Sequence, residues 1–254
     1  MQSKKSHKPI YALDFDGVIC DSAIETGMTG WKTAQKIWQD MPKANPPESI
    51  INDFRQIRPF LETGYEAIII VRLLQQGMTV DKLSQNYPHQ INTLINEEQL
   101  NAKQLKQLFG ITRDHWINQS PHEWLNMNPL FTGILQHLET LRDSTWYIIT
   151  TKQKRFVEQI LNNYQINIKD QHIYSMESKQ SKQDTLLELS TRHPNQDIIF
   201  IEDRLPTLIK ISKNTRLKNI KLQLVDWGYN TYNDRASAQK HPLEIITINQ
   251  FLAK

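Results

Sequence analysis

Acidic side chains at the ends of apolar runs are the feature of this 254-residue sequence that can do chemistry. Asp14 and Asp16 close the run Ile10-Tyr11-Ala12-Leu13, and Gly17 follows them. Residues two apart on an extended chain point the same way, so both carboxylates can face one ligand. Gly17 lets the chain turn away without placing a side chain in the site. Thr150 and Thr151 end a second apolar run, and Glu202 and Asp203 end a third. Lys179 or Lys182 lies just ahead of a helical segment at 184–190. Two or three carboxylates, waters and a phosphate oxygen make a hard, all-oxygen site for Mg²⁺. A lysine and hydroxyl donors would offset the charge of the phosphate. Together these groups suit phosphoryl transfer.

Other chemistries are excluded by what is missing. The glycines stand at 17, 27, 30, 64, 77, 110, 133 and 228, so no GxGxxG fingerprint, Walker A loop or GxSxG elbow can be formed. The single cysteine, Cys20, permits no internal disulfide and no multi-cysteine zinc site. Thr26 occupies the place where a cysteine phosphatase needs its phosphate-binding arginine. The eight histidines are dispersed and HExxH is absent, which argues against a zinc hydrolase. The net charge of +3 comes from scattered lysines and arginines rather than a dense basic stripe, so nucleic acid is not the expected partner. The apolar runs, such as residues 67–71, fall far short of a membrane span of about 20 residues. Lys4, Lys5 and Lys8 read as a solvated tail, with no signal peptide, and the expected location is the cytoplasm. The 23 glutamines and 18 asparagines are spread out, which excludes a prion-like tract.

The elements that must position the acids follow from periodicity. Residues 10–13 read as a buried parallel strand. Residues 22–128 are short of strand-like segments and rich in helical spacing, with Ile91, Leu94, Ile95, Ala102, Leu105, Leu108 and Phe109 fitting one helical stripe. The run 60–74 is ambiguous in period, and its length favours a buried helix. From Pro129 onward strands and helices alternate, with strands expected at 146–150, 172–175, 198–201, 220–225 and 245–248. Alternation of this kind implies a parallel sheet with helices on both faces. The expected architecture is α/β: a three-layer Rossmann-like core from residues 1–21 and 129–254, with a mostly α-helical cap at 22–128 inserted after the first strand.

In their order along the chain these segments resemble the haloacid dehalogenase-like hydrolase superfamily. Asp14-Phe15-Asp16-Gly17-Val18-Ile19-Cys20-Asp21-Ser22 is similar to its first motif, and Ile148-Ile149-Thr150-Thr151-Lys152 to its second. Ser181-Lys182-Gln183-Asp184-Thr185-Leu186-Leu187 is similar to the third, and Ile198-Ile199-Phe200-Ile201-Glu202-Asp203 to the fourth. The resemblance covers the core and the position of the cap, not the sequence of the cap. It implies that Asp14 is a nucleophile forming an aspartyl-phosphate. Asp16 would protonate the leaving oxygen and then activate water. Mg²⁺ would be held by the Asp14 carboxylate, the Asp16 backbone carbonyl and Asp203, with Glu202 a competing or additional ligand. Thr150 would bind phosphoryl oxygens, and Lys182 would steady the charge on Asp14 and the transferring group. Two departures from the family pattern stand out. No acid follows shortly after the fourth motif, where Arg204-Leu205-Pro206-Thr207 stand. Lys179 fits the longer spacing of mutase-like relatives, although Lys182, which directly opens the helix, is preferred.

Plainer roles compete for several of these residues. Glu202 and Asp203 could cap the following helix, and Asp21 and Ser22 read as the N-cap of the insertion. Cys20 reads as a small buried side chain. Trp227-Gly228-Tyr229-Asn230 reads as a turn with aromatic packing. Arg58, Glu62, Tyr65 and Arg72 could meet a substrate, but Arg72 reads as a polar break in a buried helix. The functional expectation is a Mg²⁺-dependent phosphatase acting on a small phosphorylated metabolite, with the cap closing over the site to exclude water and select the substrate. The alternatives are a phosphomutase of the same family and a catalytically silent binding protein. Substrate identity and oligomeric state cannot be read from these residues.

Overall fold

The computed structural model describes residues 8–142 and 144–253, so Lys4 and Lys5 lie outside the described residues. The chain divides into two compact units, Ser22–Pro129 and the remainder, Met1–Asp21 with Leu130–Lys254.

The discontinuous unit is built on one parallel sheet. Its strands are β1 (Ile10–Leu13), β2 (Trp146–Ile149), β3 (Ile173–Tyr174), β4 (Ile198–Glu202), β5 (Lys221–Val225) and β6 (Glu244–Ile246), in the order β3-β2-β1-β4-β5-β6. This is the 3-2-1-4-5-6 order of a doubly wound α/β sheet, in which the crevice for a ligand lies at the carboxyl ends where the order reverses. Here the reversal falls at β1, flanked by β2 with Ala12 opposite Tyr147 and by β4 with Ala12 opposite Phe200.

Helices cover both faces because the strands are apolar on both sides. The core helices follow seven helices of the other unit along the chain: α8 (Ile134–Thr140), α9 (Lys154–Asn163), α10 (Lys182–Arg192), α11 (Leu205–Ser212), α12 (Tyr232–Ala238) and α13 (Ile248–Leu252). Ile10, Ala12 and Phe200 pack with Leu186 and Leu189 of α10, Leu205, Leu208 and Ile211 of α11, and Ala238 of α12. Tyr11, one residue out of phase on β1, meets the Phe251 ring of α13 edge-on at 6.4 Å, and that ring also touches His137 of α8 at 4.3 Å. The core is therefore a three-layer α/β sandwich. The last strand is shorter than the sequence suggests: Thr247 and Gln250 form a capping box that starts α13 at Ile248.

The unit Ser22–Pro129 is helical: α1 (Ala23–Ile37), α2 (Glu48–Ile57), α3 (Glu66–Gln75), α4 (Val80–Gln85), α5 (Tyr87–Glu97), α6 (Ala102–Gln119) and α7 (Pro121–Asn126). Ile68, Ile69, Ile70 and Val71 of α3 are fully buried with Trp31, Phe54, Ile57 and Leu83. The ambiguous run 60–74 thus contributes a helix, beginning at Glu66 after a 3₁₀ turn at Arg58–Phe60. The stripe expected from Ile91 to Phe109 belongs to two helices, not one. Gln99 takes a left-handed φ of 51°, and the Asn101 side chain accepts from the amides of Lys103 and Gln104 to start α6 afresh. A buried carboxylate, Glu25, is satisfied within this unit by Arg113 at 2.8 and 3.1 Å, Trp124 at 3.1 Å and Thr29 at 2.8 Å. Among the described residues no helix is long and apolar enough to cross a membrane.

Candidate active site

The acids stand on neighbouring strand ends. The Asp14 amide donates to the Ile201 carbonyl at 2.9 Å, carrying the β1–β4 pairing one residue past β1. The chain then folds back on itself: the Phe15 carbonyl accepts from Ile19 and Cys20, and the Gly17 amide donates to the Cys20 carbonyl. Gly17 has φ of 85°, and a Cβ there would lie 2.1 Å from Asp203 Oδ2. Gly228, after β5, is equally confined, since its Cβ would lie 2.4 Å from both the Asp203 Cβ and the Gly17 carbonyl oxygen. Both positions need glycine so that two loops can close on Asp203.

Lys182 is the first residue of α10, whose start is fixed by a capping box between Ser181 and Asp184. That start delivers the Lys182 Nζ to 2.9 Å from Asp14 Oδ1 and 2.7 Å from Glu202 Oε2. Lys179 is exposed, in a left-handed conformation at the end of a 3₁₀ turn, so the lysine that meets the acids is Lys182. The other oxygen of Glu202 accepts the amides of Asp203 at 3.2 Å and Arg204 at 3.0 Å. Asp203 Oδ2 accepts the Tyr229 amide at 2.8 Å. One oxygen each from Asp14, Glu202 and Asp203 lie within 4.8 Å of one another, in a buried group suited to a metal ion.

Thr150 is buried at the end of β2, where its hydroxyl accepts the Lys152 amide at 3.1 Å. The Asp16 carboxylate stands outside the three-acid group and pairs with Lys152 at 2.9 Å. A cavity of about 420 Å³ opens beside Thr150 and Lys182, lined also by Thr151, Gln180 and Lys210.

The electrostatics follow from three buried carboxylates close together, with one ammonium against two of them. Burial first, and then the charge of Glu202, push the Asp14 carboxyl up to about 7 despite the pull of Lys182. Burial, Glu202 and Asp14 push Asp203 well above the usual carboxylate range. Burial also works against the charge of Glu202, yet Lys182, a side-chain hydrogen bond with Asp203 and the Arg204 amide hold that group below its ordinary value. Burial alone would lower Lys182, but Asp14 and Glu202 together raise it. The group is short of positive charge. All-oxygen donors around such a deficit match the needs of a hard divalent cation.

Sequence reasoning missed the braces around this group. The segment Trp227-Gly228-Tyr229-Asn230 does more than turn. The Tyr229 hydroxyl donates to Asp21 at 2.9 Å, and Trp227 Nε1 donates to the Val18 carbonyl at 3.2 Å. Asn230 donates to the carbonyls of Asp203 at 3.0 Å and Val225 at 2.8 Å. Asp21 therefore serves the loop after β1. Ser22 stands at the N-cap position of α1 without a side-chain cap bond. The cap of α11 falls at Arg204, and the backbone amides that Glu202 accepts, those of Asp203 and Arg204, lie ahead of the helix. Cys20 is fully buried. Arg72 is also committed, to Asp40 at 2.9 Å and to the Trp38 ring at 5.1 Å.

No protein-family model matches the sequence, and no curated protein matches it. Solved structures do. A haloacid dehalogenase-like family hydrolase from Streptococcus pneumoniae shares 20% identity over 94% of this chain and 93% of its own, with a TM-score of 0.55. A protein described as a predicted phosphoglycolate phosphatase from Haemophilus somnus shares 13% identity over 96% and 95%, with a TM-score of 0.60. A hydrolase from Pseudomonas syringae shares 14% identity over 97% and 96%, with a TM-score of 0.55. The strand order and these likenesses over nearly the whole length give the chain the fold of the haloacid dehalogenase-like hydrolases.

Proposed function

We propose that this protein is a Mg²⁺-dependent phosphatase that cleaves a small phosphorylated metabolite through an aspartyl-phosphate. The observation that carries the proposal is Asp14 itself: a buried carboxylate at a strand end, 2.9 Å from a buried ammonium and beside two further acids. Burying three acids with one lysine costs free energy that a binding scaffold has no reason to retain.

In this reading Asp14 attacks phosphorus as the bond to the leaving oxygen breaks. Asp16 gives that oxygen a proton, then takes one from the water that cleaves the acyl phosphate and restores Asp14. Lys182 holds Asp14 in line and offsets charge on the transferring group. The Thr150 hydroxyl donates to a phosphoryl oxygen. The carboxylates of Asp14, Asp203 and Glu202 and the backbone carbonyl of Asp16 would hold Mg²⁺. Bound there, it would shield phosphate charge from the incoming carboxylate.

The test is phosphate release from an aryl phosphate and a metabolite panel, with Mg²⁺ and with EDTA. Mg²⁺-dependent release from at least one member supports the proposal. Folded, Mg²⁺-binding protein that releases phosphate from none contradicts it.

A further inference from the structure

Two lysines reach the acids after β1. Lys182 bridges Asp14 and Glu202, whereas Lys152 takes Asp16. Lys152 Nζ lies 2.9 Å from Asp16 Oδ1, with side chains 7% and 22% exposed. A lysine buried that far must be paired, so this contact is more than a surface ion pair. The backbone of Lys152 is also anchored. Its amide donates to Thr150 Oγ1 at 3.1 Å, and its carbonyl accepts from the Met176 amide at 3.2 Å. The loop that carries Thr150 off the end of β2 thus also carries Lys152 to Asp16, across the β1–β2 pair.

We infer that Lys152 is the positioning residue for Asp16: it fixes where the Asp16 carboxylate stands relative to the reacting phosphoryl group. The inference rests on the proposed role of Asp16 in proton transfer. Proton transfer requires hydrogen-bond reach of the reacting atom. A misplacement of about 1 Å lowers turnover on the order of 100-fold. A side chain held by an anchored, buried ammonium is placed in a way that an exposed aspartate is not.

The experiment is a double-mutant cycle on aryl phosphate turnover at saturating Mg²⁺, using Lys152→Met, Lys152→Arg, Asp16→Asn and the double variant Lys152→Met/Asp16→Asn. Lys152→Met should lower kcat on the order of 100-fold and leave KM within about twofold. Lys152→Arg should recover most of the loss, and the double variant should be no slower than Asp16→Asn alone. Losses that multiply, an effect confined to KM, or full turnover by Lys152→Met beside an impaired Asp16→Asn would each overturn the role of Lys152 alone. Full turnover by Asp16→Asn would overturn the assignment of Asp16, and this inference with it. If Lys152→Met does not fold, Lys152→Gln carries the same expectations.

Discussion

Replacing Lys182 with methionine removes the one ammonium from the three-acid group and keeps most of the side-chain volume. The ion pair is deep: Lys182 is 15% exposed, Asp14 9% and Glu202 not at all. Losing one partner of a buried pair costs about 3–5 kcal/mol, because the other charge is left without compensation. For a chain of this size that is a fall in Tm of roughly 10 °C. The same distance on the surface provides a control. Lys221 lies 2.7 Å from Asp197, but the two side chains are 61% and 65% exposed. Lys221→Met should therefore cost about 0–1 kcal/mol. The assay is thermal and urea denaturation in EDTA at pH 8 and at pH 6. Without Lys182 the buried carboxylates escape part of the penalty by taking up a proton, so the loss should be larger at pH 8. Equal, small losses for Lys182→Met and Lys221→Met would refute the reasoning that burial, not distance, sets the value of these pairs.

Other outcomes follow from the same geometry. Gly17→Ala should weaken Mg²⁺ binding at least about tenfold by titration calorimetry, because its Cβ would lie 2.1 Å from Asp203 Oδ2. In the helical unit, Glu25→Ala should cost about 3–5 kcal/mol in denaturant unfolding, since Arg113, Trp124 and Thr29 all lose the buried carboxylate they donate to. His172 and His193 sit against Tyr147, and burial, aided by Lys169 and Arg192 respectively, holds both below their ordinary value. A histidine with a lowered folded pKa contributes fully above the unfolded value of about 6.5 and loses that contribution as pH falls through the folded value. The Tm difference between the native protein and His193→Gln should therefore move in favour of the variant as pH falls below about 6.5.

The legible parts of the site are those that depend on local sequence. Asp14, Asp16 and Gly17 could be read because strand, acid and turn are contiguous. The choice between Lys179 and Lys182 was also available: Ser181 and Asp184 form a capping box, which makes Lys182 the first helical residue. The same signal at Thr247 and Gln250 marks α13, and the Asn101 cap marks the break between α5 and α6. Lys152, Tyr229 and Asn230 were out of reach for a different reason. Their partners, Asp16, Asp21 and Asp203, come to them through the sheet order, across separations of 136, 208 and 27 residues. Periodicity locates the strands but does not say which loop returns to which acid.

In the proposed reaction Asp14 carries the phosphoryl group. The direct measurement is acid quench of the protein during turnover of an aryl phosphate with Mg²⁺, followed by peptide mass spectrometry. One phosphoryl group is expected on the peptide containing Asp14, absent in EDTA. Asp14→Asn should show no such adduct and a loss of turnover on the order of 1000-fold or more. Undiminished turnover by Asp14→Asn, or a phosphoryl group trapped on another side chain, would contradict the proposed reaction.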